Sequence, residues 1–192
     1  MPRNTEIKLR LNGDLRYSEI SNRLVGILGA AGVRVIAQRD HYYNGSGSRR
    51  LKLRQEWDPV HEAATKRGCL IGYERADSED VRCSNYQKCD VGDIARMLEV
   101  VNIGLGSAEY VVSKRRTVGI IGQTRVHLDV VYELNNAQFL ELEVMLDDGQ
   151  SHEQGTVIAH QVLEQLGVSE HESRRNAIRG SYREMVLMLK DT

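Results

Sequence analysis

Charged side chains occupy every second position in five segments of this chain, and the segments differ in the sign of their charges. They are Glu6 and Lys8; Arg50, Lys52 and Arg54; Lys114 and Arg116; Arg125, His127 and Asp129; and Glu141 and Glu143. Lysine and arginine bind phosphate oxygens, whereas grouped carboxylates bind hard divalent cations. Together these residue types favour a site that holds a polyphosphate with divalent metal ions.

The residues between those charges are apolar, as in Leu51 and Leu53 or Leu140 and Leu142. Because successive side chains of a strand point to opposite faces, each segment predicts a strand with one apolar and one ionic face. A solvated sheet surface is the ordinary explanation of an ionic face. Such a surface mixes signs, however, since like charges opposite each other are destabilising. The segregation of signs favours an ionic tunnel whose apolar outer faces are covered by helices.

A tunnel of this kind predicts repulsion among its basic side chains. Two like charges about 4 Å apart repel by about 4 kcal/mol at an effective dielectric constant near 20. Basic segments gathered in one lumen would therefore need a bound polyanion. On this reasoning, replacing Arg54 or Arg116 by alanine leaves the free protein no less stable than before.

The apolar periodicity and the turn residues predict strands and helices along the whole chain. Strands are expected around 6–9 and at 33–43, 49–56, 69–75, 81–88, 109–119, 121–132 and 139–146, and helices at 17–31, around 94–101, around 157–166 and at 183–189. A glycine and serine turn at 44–48 and a polar turn at 77–80 join neighbouring strands. The order predicts an α+β fold, namely an eight-stranded antiparallel β-barrel, closed or nearly closed, with peripheral helices.

Length and composition limit the classes of protein that fit. The chain has 192 residues, a length that favours a single domain spanning 1–192. It has 26 basic and 27 acidic residues and therefore a net charge of −1, which predicts neither nucleic acid nor an anionic membrane as partner. Cys69, Cys83 and Cys89 lack a zinc-like spacing and are expected to be reduced thiols. With no apolar signal core at the N-terminus, we expect a cytoplasmic protein.

The same residues resemble the motifs of the CYTH superfamily, the triphosphate tunnel metalloenzymes. The family opens with Glu-x-Glu-x-Lys on its first strand, and this chain has Asn4-Thr5-Glu6-Ile7-Lys8. Further matches run in the family's order at 38–40, 50–54, 73–75, 124–129, 139–144 and 181–183. They are most similar to the class IV adenylyl cyclase-like branch.

Carried over position by position, the resemblance implies a metal site and a phosphate site. The implied ligands of Mg²⁺ or Mn²⁺ are Glu6, Asp129, Glu141 and Glu143. The implied phosphate-binding residues are Lys8, Arg50, Lys52, Arg54, Arg75, Lys114, Arg116 and Arg125, and Lys8, Arg54 and Arg116 are assigned a catalytic role. Two alternatives stay open: Glu141 and Glu143 only pair with lumen arginines, or Arg50 and Lys52 lie on an exposed hairpin edge.

Three residues near these motifs need separate interpretation. Asn4 replaces the family's first glutamate; its amide oxygen still suits a metal, but it brings no charge, so the number of bound ions stays open. His127 is expected to be a hydrogen-bonding group and not an essential base. Tyr182 either caps the tunnel mouth or packs the last helix.

The resemblance implies a metal-dependent enzyme with a triphosphate small molecule as substrate. In the cyclase-like reaction, ATP becomes cyclic AMP and pyrophosphate. The first alternative is a triphosphatase for inorganic triphosphate, thiamine triphosphate or a nucleoside triphosphate, and the second is a non-catalytic polyphosphate-binding module. Fold and metal site do not select the nucleophile. Monomer and homodimer are both open.

Overall fold

The computed structural model describes residues 3–44, 49–60, 67–75, 84–178 and 180–190. The strands are β1 (Arg3–Leu11), β2 (Arg34–Asn44), β3 (Arg49–Trp57), β4 (Arg67–Arg75), β5 (Ser84–Val91), β6 (Tyr110–Ile121), β7 (Thr124–Val131) and β8 (Ala137–Leu146). The helices are α1 (Tyr17–Leu28), α2 (Ile94–Leu105), α3 (His152–Gln165), α4 (Glu170–Asn176) and α5 (Tyr182–Lys190).

All eight strands form one antiparallel sheet in the order β1-β8-β7-β6-β2-β3-β4-β5. The sheet curls until its edge strands β1 and β5 come near each other. In the described residues these two strands are not paired, so the barrel is nearly closed. The predicted α+β class and antiparallel barrel are confirmed.

Much of the outer face of the sheet is apolar and lies beneath helices. Leu9, Val126, Leu128, Leu140 and Leu142 are buried there in one core that also includes residues of α1 and α3. At Gly119 of β6 an added Cβ would lie 2.6 Å from Leu28 Cδ1, so a glycine is what lets α1 pack directly on this strand. A second cluster lies under α2 and includes Leu53 and Val101.

Helix α5 lies on the opposite, inner face of the sheet. Its Tyr182 and Val186 are buried with Val112, Val131 and Phe139, which share strand faces with the ionic residues. Apolar contacts with α5 therefore cover one end of the inner face, and the charged rows continue from there toward the other end.

The element boundaries agree with the sequence patterns to within a few residues, with one omission. Helix α1 ends at Leu28, before a short 3-10 turn at Ala30–Gly32. The apolar periodicity does not predict α4, because this helix is polar. Its capping box is nevertheless visible in the sequence: the Ser169 hydroxyl accepts a hydrogen bond from the backbone N–H of Glu172, and the Glu172 carboxylate accepts one from the backbone N–H of Ser169. Residues 45–48 of the turn predicted at 44–48, the turn predicted at 77–80, and residues 81–83 at the start of the predicted fifth strand, which include Cys83, lie outside the described residues.

Candidate functional site

The registers of the sheet place the ionic residues in rows across its inner face. Lys8 lies opposite Glu141, and Arg116 lies opposite Asp129. Arg125 lies opposite Glu143, which in turn lies opposite Glu6. Because the apolar residues of the same strands point outward into the helix-covered core, the ionic faces line the tunnel, as the sequence predicts.

An acidic group with one lysine is formed by β1 and β8. Lys8 Nζ lies 3.0 Å from both Glu6 Oε1 and Glu141 Oε1. Burial raises the pKa of Glu6, and although Lys8 opposes this change, the neighbouring Glu141 carboxylate adds to it. Burial alone would lower the pKa of Lys8, but its attraction to Glu141 and Glu6 raises it. Lys8 is therefore a firmly protonated link between two carboxylates that repel each other.

Arg116 is the centre of a second, buried ion network. Its Nε and one terminal nitrogen donate to Asp129 at 2.7 and 2.6 Å, and that terminal nitrogen also lies 2.6 Å from Glu141 Oε2. The Tyr182 hydroxyl donates to Asp129 Oδ2 at 2.8 Å, and the Lys8 ammonium lies 4.6 Å from the centre of the Tyr182 ring. Tyr182 therefore packs the last helix and also completes one end of the ionic site.

Asp40 is a central site residue that the sequence motifs include but do not single out. It is fully buried, at 0% exposure, and accepts two hydrogen bonds from the Arg54 guanidinium at 2.7 and 2.8 Å. Lys114 Nζ and Lys52 Nζ lie 3.5 and 3.7 Å from the same carboxylate. Burial opposes ionisation of Asp40, but these cations hold its pKa well below its usual range.

The three cations around Asp40 outnumber its single negative charge, and the two lysines show the consequence. Burial lowers the pKa of Lys114 to about 7, with Arg116 adding to the effect and Asp40 opposing it. Burial also lowers the pKa of Lys52 to about 8, with Arg54 adding and Asp40 opposing. Both lysines lie within ion-pair distance of Asp40, yet their pKa values fall because burial and the charge of the neighbouring arginines outweigh the attraction of that carboxylate. A polyanion would be stabilised at this cluster.

These pairings correct one expectation from the sequence. Arg54 and Arg116 are not simply crowded by like charges, because each forms a bidentate pair with a carboxylate that is fully buried. Removing either arginine would leave that carboxylate without its closest partner. Breaking a buried pair on one side is strongly destabilising, so we now expect alanine at these positions to lower the free energy of unfolding.

The other predicted cations lie nearer the edges of the site. Arg125 is 44% exposed and lies 3.2 Å from Glu143 Oε2. Arg50 is partly buried and donates to the backbone oxygen of Arg49. Lys52, by contrast, is in the buried cluster and not on an exposed hairpin edge. Arg75 ends β4, and its side chain lies outside the described part of the chain.

Asn4 and His127 each hold one of the predicted metal ligands. Asn4 Nδ2 donates to Glu143 Oε1 at 2.6 Å, so its amide supplies a hydrogen where the family motif has a carboxylate. His127 Nδ1 lies 3.3 Å from Glu141 Oε2. Burial lowers the pKa of His127, Arg116 lowers it further, and Glu141 opposes both. The imidazole is therefore mostly neutral at pH 7, which suits a hydrogen-bonding group.

The chemistry of the acidic group suits a hard divalent cation. Glu6, Glu141 and Glu143 offer carboxylate oxygens from adjacent strands, and the repulsion between Glu6 and Glu141 is of the kind that a cation relieves. Among the described residues, no three His, Cys, Asp or Glu side chains converge closely enough to hold an ion as they stand. The physical reason is that each carboxylate is turned toward Lys8, Arg116, Arg125 or Asn4.

The helices of the described residues do not meet the requirements of a membrane span. None of them combines the length and the apolar character needed to cross a membrane.

Several solved structures share the fold of this chain. The PH1012 protein from Pyrococcus horikoshii OT3 has a solved structure that superposes with a TM-score of 0.72, at 21% identity over 94% of this chain and 98% of that one. A candidate adenylate cyclase from Vibrio parahaemolyticus gives 0.69 at 17% identity, over 96% and 97% of the two chains. The mimivirus capping enzyme triphosphatase gives 0.54 at 8% identity, over 86% and 89%.

These identities are low, so the structural likeness establishes the fold alone. No protein of curated function matches the sequence. The CYTH domain family model matches residues 2–177, which include all eight strands of the sheet and every ionic row described above. The chain therefore belongs to the CYTH family.

Proposed function

We propose that this protein is a divalent-metal-dependent enzyme that acts on triphosphates, with class IV adenylyl cyclase-like conversion of ATP to cyclic AMP and pyrophosphate as its first candidate reaction. The observation that carries the proposal is the buried cluster of Lys52, Arg54 and Lys114 around the single carboxylate of Asp40. Its excess positive charge lies beside the acidic group of β1 and β8. A triphosphate with a divalent cation supplies the charges that both parts lack.

The phosphate oxygens would be held by Lys52, Arg54, Lys114 and Arg116. Lys8, between Glu6 and Glu141, would stand where the phosphate chain meets the acidic group. Arg125 lies at the more exposed side, where the substrate would enter. Arg50 and Arg75 remain predicted phosphate ligands on β3 and β4. Catalysis at such a site depends on positioning and on stabilising the charge that develops on the departing phosphate oxygens.

Glu6, Asp129, Glu141 and Glu143 are the proposed ligands of Mg²⁺ or Mn²⁺. When bound, the ion would polarise the phosphate oxygens and neutralise part of their charge. Glu141 and Asp129 are also partners of Arg116, so this arginine would exchange a carboxylate for a phosphate oxygen as substrate enters. Tyr182 and His127 would then keep Asp129 and Glu141 in place.

In the cyclase-like reaction the 3′ oxygen of ATP forms a bond to the α-phosphorus, its proton passes to solvent, and the bond from the α-phosphorus to pyrophosphate breaks. In the triphosphatase alternative, water forms a bond to the terminal phosphorus and the bond from that phosphorus to the bridging oxygen breaks, so that the shortened phosphate chain departs and orthophosphate is formed. The site favours this second candidate as well, because its described cations would bind phosphate oxygens and would not orient a particular nucleophile. A non-catalytic polyphosphate-binding module is the third candidate, suggested by the neutral Asn4 beside Glu143.

Phosphorus NMR of the products tests the proposal and separates its three forms. ATP, inorganic triphosphate and thiamine triphosphate are each incubated with the protein and Mg²⁺ or Mn²⁺. Cyclic AMP with pyrophosphate identifies a cyclase, orthophosphate identifies a triphosphatase, and unchanged substrate with measurable binding identifies a binding module. Full turnover after exhaustive chelation would contradict the metal requirement.

The neighbouring arginines of β6 provide a matched pair of variants. Arg116→Lys keeps the charge and loses the bidentate pair with Asp129, whereas Arg115→Lys makes the same change at an exposed position on the opposite face of β6. We expect turnover to fall by about tenfold or more for Arg116→Lys, because a lysine binds two oxygens in a less fixed geometry. Arg115→Lys should retain the wild-type rate. Equal rates in the two variants would place the chemistry away from this face of the sheet.

A further inference from the structure

Three aliphatic residues interrupt the ionic inner face at the end away from α5. Ile36, Val118 and Ile120 alternate onto the same face as Arg116, as their positions on β2 and β6 require. Each lies directly opposite a residue of the ionic site. Ile36 is paired with Arg116, Val118 with His127, and Ile120 with Arg125.

These three residues remain open to solvent, unlike the apolar residues at the other end. Ile120 is 55% exposed, and Ile36 and Val118 are partly exposed. On the same face, Val112 and Val131 are buried under α5. The open apolar surface therefore lies on the side of the site where Arg125 is also exposed.

The position of this surface relative to the charges limits what it can bind. Arg125 separates Ile120 from Glu143 in one row, so the isoleucine and the carboxylate are two strand spacings apart, roughly 10 Å. A ligand that occupies both must carry phosphates at one end and an apolar group at the other. Inorganic triphosphate has no such group.

We infer that Ile36, Val118 and Ile120 form a subsite for the organic group of a triphosphate ester, such as the base of a nucleoside triphosphate. The inference rests on the proposed function, and it adds that the substrate is an organic ester and not inorganic triphosphate. The surface is continuous with the ionic site through three directly paired residues, two of which, Arg116 and Arg125, are proposed phosphate ligands, and this continuity is what selects the occupant. An aliphatic wall would bind a base through apolar contact, with little discrimination between one base and another.

Binding measurements on two variants test this assignment. Ile120→Asn removes apolar surface at the subsite, and Ile103→Asn makes the same change on α2, where Ile103 is 87% exposed and away from the inner face. Dissociation constants for ATP and for inorganic triphosphate are measured by calorimetry, once in chelator, where turnover is not expected, and once with Mg²⁺. We expect Ile120→Asn to weaken ATP binding by about three- to tenfold, because the base would bury less apolar surface, and to leave inorganic triphosphate within about twofold. Ile103→Asn should change neither.

Two further variants keep the result decisive. Ile36→Thr should reproduce the selective loss of ATP affinity if the three residues act as one surface. Tyr86→Ser changes an aromatic residue near the far end of the inner face, where Tyr86 lies opposite Tyr73. If ATP affinity follows Tyr86 and not Ile120, or if Ile120→Asn changes both ligands equally or neither, the assignment is overturned. If wild-type protein binds neither ligand under either condition, the proposed function itself fails.

Discussion

Replacing Arg54 by alanine tests whether repulsion among the basic side chains or the buried ion pair with Asp40 dominates the stability of the tunnel. Its guanidinium donates twice to Asp40, at 2.7 and 2.8 Å, and that carboxylate is fully buried. A hydrogen bond to a charged group contributes about 1.5–3 kcal/mol, and breaking a buried ion pair on one side costs about 3–5 kcal/mol. Because Lys52 and Lys114 remain near Asp40, we expect Arg54→Ala to lower the free energy of unfolding by about 2–4 kcal/mol.

Lys114→Met is the matched control within the same cluster. It also removes one cation near Asp40, but the pKa of Lys114 is lowered to about 7, so its charged form is disfavoured in the folded protein. Methionine keeps much of the side-chain volume. With the bidentate Arg54 pair intact, we expect the free energy of unfolding to change by less than about 1 kcal/mol, or to increase slightly.

Urea unfolding at pH 7, with equal m-values required for all proteins, measures both changes. The dependence on pH gives an independent check. The pKa of Asp40 is lowered in the folded state, so its stabilisation is present above the pKa of an ordinary aspartate and disappears as pH falls below it. The deficit of Arg54→Ala should therefore shrink below about pH 4. If Arg54→Ala is as stable as wild type at pH 7, repulsion dominates this cluster and the reasoning is refuted.

Three further predictions concern ligands. The pKa of Lys114 is lowered to about 7, and a bound polyanion would raise it, so triphosphate binding at pH 8 should be accompanied by uptake of about one proton. Calorimetry in buffers of different ionisation enthalpy measures this uptake, and Lys114→Arg should reduce it. An unchanged uptake in Lys114→Arg would show that Lys114 is not the group that takes up the proton. Asn4→Glu should lower the Mn²⁺ concentration for half-maximal activity, whereas Asn4→Gln should not; an unchanged or higher requirement in Asn4→Glu means that the first motif position does not limit metal binding. Glu141→Gln should weaken Mn²⁺ binding in electron paramagnetic resonance titrations and reduce turnover by about a hundredfold or more. The same change at the exposed Glu99 is the control. If Glu141→Gln keeps both Mn²⁺ binding and turnover, Glu141 is not a metal ligand.

The alternating patterns were sufficient to predict which face is ionic in five strands, namely β1, β3, β6, β7 and β8. Leu51 and Leu53 or Leu140 and Leu142 repeat with a period of two, and a strand with this period can bury only one face. The structure confirms that the apolar faces lie under helices and the ionic faces line the tunnel. Patterns of this kind are local, because they depend only on the geometry of one strand.

Some local signals are independent of apolar periodicity. The capping box of Ser169 and Glu172 predicts the start of α4, and its polar sequence concealed the helix from a search for apolar periodicity. Asp40 carries no comparable signal. A lone aspartate among polar residues of β2 gives no indication that three cations from two other strands surround it.

The sequence by itself determined the family, the strands and the set of charged side chains that share a face. Only the tertiary structure decided which charges meet, because partners such as Asp40 and Arg54 or Asp129 and Arg116 come from different strands, and their pairing depends on the order and register of the sheet. It also decided that α5 covers one end of the inner face and leaves Ile120 open at the other. A strand pattern fixes the face on which a side chain lies, whereas the partner, the burial and hence the pKa of that side chain depend on residues distant in the chain.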